Sequence, residues 1–211
     1  MIRASLVDFL NTGCLGPVRP GATMEEVAAL LGEPFKTLGE AAPHATQQPY
    51  WIYHNLELNF DQPEGAPSYL NSMEIGSGWR LRKKARRLAP NLLLELDGLN
   101  ARSRPSQFIR AIDGIDRVEV CLADMIMDPI VTIIVDEFIL INLHPWTIET
   151  IEPPARRRGY IRRLDAEAEL MDVTSQDHQL MSLKQVREHM YPGRYAPFTL
   201  TWRDYLAALE R

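Results

Sequence analysis

A chain of 211 residues with 45% hydrophobic and 24% charged side chains has room for one large or two small domains with real cores, and ordinary globular proportions. The longest apolar stretch, around Ile130 to Leu143, is broken by Thr132, Asp136, Glu137 and Asn142, which excludes a membrane helix, and Asp8 with a lone Arg3 argues against a signal peptide. The net charge of −5 hides two cationic islands, residues 80–88 and 155–163; they hold 11 of the 23 basic residues and leave 12 against all 28 acidic ones.

In chain order, Ile2 to Leu10 predicts an opening helix with Ile2, Leu6, Phe9 and Leu10 on one side, ended at Asn11-Thr12-Gly13. Thr23 and Glu26 form a capping box for a helix that presents Met24, Val27, Leu30 and Leu31, and Gly32 and Pro34 stop it. Residues 33–49 read as a long connection with three prolines. Trp51-Ile52-Tyr53, the turn His54-Asn55 and the alternating Leu56-Glu57-Leu58-Asn59-Phe60 predict a hairpin, and Ser68 to Ile75 a third strand.

The order then recurs. Pro105 opens a helix with Phe108, Ile109 and Ile112 as its apolar face, ended by Gly114. A strand is expected over 117–122, a hairpin over Ile130–Val135 and Phe138–Leu143, and a last strand over Trp146–Ile151. From the residue before each helix to the first hairpin turn residue is 31 positions in one unit and 32 in the other, which points to a degenerate repeat of about 80 residues. The hairpin strands of the second unit do not alternate, so both of their faces need cover. The expected architecture is therefore α+β: a first unit over 1–78, a basic connector over 79–91, a second unit over 92–152 and a C-terminal helical extension over 153–211 that packs on it. In that extension Ser182 to about Met190 and Thr201 onward carry helix signals.

The string Pro17 to Pro34, followed by Trp51-Ile52-Tyr53 and Leu56 to Phe60, resembles the helix-plus-strands module of the β-lactamase inhibitor protein, of the SmpA/OmlA lipoproteins, and of bacterial immunity-like proteins associated with toxins. The resemblance covers residues 16–75. It implies a module that works by binding another protein through variable surfaces, with no functional residue carried over.

Local seeds of chemistry are few. The five histidines show no H-x-x-x-H or H-E-x-x-H spacing, and no nucleophile elbow, phosphate loop or dinucleotide fingerprint occurs. Asp97 with Asp113, or Asp124 with Asp128, offers a cation site or simply solvated loop acids. Cys14 and Cys121 define neither a metal site nor a disulfide framework, so both are expected reduced. No catalytic residue, cofactor or metal is expected. The reading is a cytoplasmic bacterial protein-binding module, an immunity- or antitoxin-like inhibitor that occludes a toxin. Its anionic body steers it to a basic partner. The alternative is a small-ligand protein or enzyme with a cleft between the units. Candidate partner-binding residues are Trp51, Tyr53, Glu57, Asn59, Glu74, Arg82 and Arg86. The basic run that supplies the last two is either a solvated connector or an anion-binding surface, and its lack of interleaved aromatics counts against single-stranded nucleic acid.

Overall fold

The computed structural model describes residues 1–39, 49–62, 66–76, 81, 85–112, 118–125, 128–136, 138–145, 157–177 and 198–210. Residues 2–5 are a strand, β1, not the start of a helix. Ile2 to Ser5 pair in parallel with Leu92 to Glu95, and this pairing overrides the helical spacing. Helix α1 (Leu6–Thr12) begins at Ser5, whose Oγ accepts from the Asp8 amide at 2.9 Å, and ends at Gly13, φ 69°.

Helix α2 (Met24–Leu31) follows the sequence closely. The Thr23 amide donates to Glu26 Oε2 at 2.8 Å and the Glu26 amide to Thr23 Oγ1 at 3.2 Å. Val27 and Leu31 are buried, while Met24 and Leu30 pack against the core from its margin. Strand β2 (Lys36–Leu38) emerges inside the expected connection. Strands β3 (Tyr50–Tyr53), β4 (Leu56–Asp61) and β5 (Tyr69–Ile75) form an antiparallel set in which Leu56, Leu58 and Phe60 are fully buried.

The expected basic connector ends in structure. Strand β6 (Ala85–Ala89) turns through Pro90-Asn91 into β7 (Leu92–Glu95), and with β1 they make a small sheet in the order β1-β7-β6. Leu88 and Ala89 are buried, an apolar end that gives this basic stretch something to pack.

Helix α3 (Pro105–Ala111) has proline in its first turn, and Gln107 Oε1 accepts from the Arg104 amide at 2.8 Å. Strands β8 (Val118–Met125), β9 (Asp128–Val135) and β10 (Ile139–Pro145) follow; Asp136, φ 48°, turns the chain between the last two. From Ile130 to Val135 and from Ile139 to Leu143 every side chain is buried, so both faces are covered, as the unbroken apolar runs require. The last strand expected at Trp146–Ile151 lies outside the described residues, as do Gly114 and the helix expected at Ser182–Met190.

The C-terminal extension is not purely helical. The second arginine island enters helix α4 (Arg157–Glu167), which runs directly into β11 (Ala168–Gln176); later β12 (Phe198–Thr201) leads into α5 (Trp202–Leu209). Alternation explains β11: Ala168, Leu170, Val173 and Ser175 are buried and most of the residues between them are partly exposed. Its long antiparallel ladder with β10 and its short one with β5 outweigh a helical continuation.

The large sheet runs β12-β8-β9-β10-β11-β5-β4-β3-β2, antiparallel throughout. The units expected as separate small sheets thus share one sheet: β2 to β5 and β8 to β11 are each four strands in sequence order, joined where β5 meets β11. One continuous hydrophobic cluster includes side chains from both halves, the small sheet and all five of the described helices. Asp165 on α4, 4% exposed, ties three of those helices: it accepts from the Ser106 amide (2.7 Å), Ser106 Oγ (2.9 Å) and the Tyr205 hydroxyl (3.3 Å).

Candidate docking face

The turn His54-Asn55 pairs Tyr53 with Leu56 and therefore Trp51 with Leu58. Paired residues point to the same side of a sheet, so both aromatics join the apolar face. Trp51, 8% exposed, lies 4.7 Å from Phe60 between ring centroids; Tyr53 is buried, and its hydroxyl donates to the Gly32 carbonyl at 2.8 Å. Burial, with Glu33 nearby, pushes the Tyr53 phenol well up. Neither is a surface anchor. Tyr53 ties the sheet to the end of α2, and Trp51 packs on Phe60 within the core.

The other side of these strands carries the polar set. Register places Ile52 opposite Glu57, Glu57 opposite Glu74, and Glu74 opposite Thr174; a parallel row sets Tyr50, Asn59, Ser72 and Gln176 side by side. Asn59 Nδ2 donates to Ser72 Oγ at 3.1 Å. The Tyr50 hydroxyl donates to Glu57, and that of Tyr69 makes a long 3.4 Å contact to Asp61. These side chains are partly exposed. The face closes toward the second half: Leu140 and Ile134, which continue the Glu74 row, are buried.

Three carboxylates meet at the joint between the halves. Asp172 on β11 accepts from Asn142 Nδ2 at 2.7 Å, and Asn142 Oδ1 in turn accepts from Thr132 Oγ1 at 2.9 Å. Burial, and then the Asp172 and Glu57 charges, push the Glu74 carboxyl up to about 7. Burial raises Asp172 also, against the lowering effect of its Asn142 hydrogen bond. Among the described residues none of the three acids forms an ion pair.

Of the expected partner-binding residues, Glu57, Asn59 and Glu74 come together on this face. Arg82 lies outside the described residues. Arg86 stands in the small sheet, in register with Leu94 and Ala4 on its core side, partly buried and with a hydrogen-bond-free Nε. Tyr50, Asp61, Tyr69 and Asp172 belong to the face and were not singled out from sequence. The phase of β3 would have supplied Tyr50, but strict alternation puts Tyr69 on the buried Met73 side, and only the register shift opposite Asn59 and Phe60 turns it to the polar face beside Asp61; no local signal places β11 beside β5.

The other seeds resolve differently. Asp97 Oδ2 accepts from Ser5 Oγ (2.7 Å) and the Val7 amide (3.1 Å), a structural cap on α1; Asp113 and the side chains of Asp124 and Asp128 lie outside the described residues. Among the described residues no group of three or more histidine, cysteine or acidic side chains is placed to hold a metal ion, and no helix is long and apolar enough to cross a membrane. A groove of about 590 Å³ runs between the 14–22 loop and α2, lined by Cys14, Arg19, Glu26 and Leu30 among others. It is not a cleft between the two halves. Comparison with family models, with curated proteins and with solved structures finds no match for this chain.

Proposed function

We propose that this chain is a cytoplasmic protein-binding module, an immunity- or antitoxin-like inhibitor that neutralises a bacterial toxin by lying over it. The observation that carries the reading is the polar face of β3, β4, β5 and β11, where two tyrosines and four acidic side chains stand partly exposed and, among the described residues, no cation pairs with Glu57, Glu74 or Asp172. Tyrosine supplies contact area at low entropic cost, and uncompensated acids favour a basic partner and speed its encounter. We also read α2 with the strands after it up to β5, and α3 with β8 to β10, as a duplicated unit, which suits the module resembled by residues 16–75.

The test is co-expression with the product of the adjacent gene. The reading requires that this chain relieves that product's toxicity and co-purifies with it, and that the double variant Glu57→Lys/Asp61→Lys does neither while remaining folded. Relief that survives the double charge reversal would remove the face from the account. The groove beside α2 favours a second reading, a small-ligand protein. That reading requires thermal stabilisation by a metabolite set, abolished by Leu30→Trp, with no effect of the charge reversal.

A further inference from the structure

The two halves of the large sheet meet over four residue pairs, from Ile75 with Val173 to Ser72 with Gln176. Glu74 sits inside this short ladder. Like charges on neighbouring strands weaken a sheet pairing; Glu74 lies directly opposite Glu57 on β4 and diagonal to Asp172 on β11, so Asp172 supplies the repulsion across the joint and Glu57 adds to the charge that Glu74 meets. Its remaining neighbours in register and on its own strand face, Thr174 and Ser72, are neutral; one strand beyond Glu57 lies the Tyr50 phenol. Lys36 ends the same row three strands away, on the order of 14 Å, more than a screening length at physiological salt.

The three acids are not equivalent. Glu57 receives the Tyr50 hydroxyl and Asp172 receives the Asn142 amide. Among the described residues Glu74, the middle carboxyl, receives no donor and no cation. Where carboxyls crowd one site, a proton settles on the one whose charge has least support, and here that is Glu74.

We propose that the β5–β11 joint is proton-sensitive: Glu74 carries a proton in the closed sheet, and losing it loosens the pairing of the two halves. The sign follows from the direction of the shift. A carboxyl that binds its proton more tightly in the folded chain than the ordinary 4.5 contributes stability in full below that value, and this is lost as pH rises to about 7. Above that Glu74 is an anion with no cation paired to it among the described residues, and the joint is at its weakest.

The experiment is carboxyl-carbon NMR titration of the intact protein, with amide hydrogen exchange at residues 72–75 and 173–176 corrected for the intrinsic rate. Glu74 should titrate near 7, and Glu57→Gln should lower that midpoint. Corrected exchange in the joint should rise several-fold between about pH 5 and about pH 8, and Glu74→Gln should flatten the rise. A Glu74 midpoint at its ordinary value, or an equal rise in Glu74→Gln, overturns the proposal. Should Glu74→Gln fail to fold, a rise left undiminished in Glu57→Gln overturns it equally.

Discussion

Replacing Asp165 by alanine tests how the helical layer is held. The carboxylate is 4% exposed and accepts three hydrogen bonds, two from Ser106 at the start of α3 and one from Tyr205 on α5. Ser106 Oγ can turn to another acceptor, but the Ser106 amide and the Tyr205 hydroxyl are left buried without one. Each orphaned donor costs about 1–3 kcal/mol, and relief from burying a charge returns part of this, for a net loss of about 3 kcal/mol. For a chain of this size that lowers Tm by roughly 6–12 °C. Asp165→Asn keeps an acceptor for the Ser106 amide and should cost about 1 kcal/mol. Urea unfolding followed by circular dichroism measures both. Equal losses from alanine and asparagine, or a loss from alanine under about 0.5 kcal/mol, would refute the claim that unsatisfied donors set the cost.

The remaining tests address the other joints. Gly13→Ala should destabilise by roughly 2–4 kcal/mol, because φ is 69° and a Cβ there would lie 2.6 Å from Ser175 Oγ and 3.0 Å from the Phe138 ring; chemical denaturation reads this. Thr23→Ala removes the acceptor for the Glu26 amide and should cost about 1 kcal/mol by the shift in urea midpoint. Trp51→Ala, a core truncation rather than the loss of an anchor, should cost about 3–5 kcal/mol in the same assay and leave the partner affinity of the folded fraction unchanged.

What could be read from residues alone was local. The Thr23–Glu26 box, the His54-Asn55 hairpin and the non-alternating strands at 130–143 each carry their geometry within a few neighbours, and each stands where expected. The opening strand and β11 were not legible. Ile2 to Ser5 are a strand because residues 92–95 lie beside them, and Ala168 to Gln176 because β10 and β5 flank them; both partners are remote in sequence. The candidate face divided along the same line. Glu57 and Asn59 follow from alternation in one hairpin, and the same hairpin register sends Trp51 and Tyr53 to the core. Asp172 reaches Glu74 only through the junction of the two strand runs, which no spacing encodes.

The most direct measurement is amide hydrogen exchange of the chain with and without the partner obtained by co-expression. The account requires new protection concentrated in residues 50–61, 69–75 and 168–176, the strands that present Tyr50, Glu57, Tyr69, Glu74 and Asp172. Protection confined to the 14–31 groove or to the helices of the second half, with those strands unchanged, would contradict it.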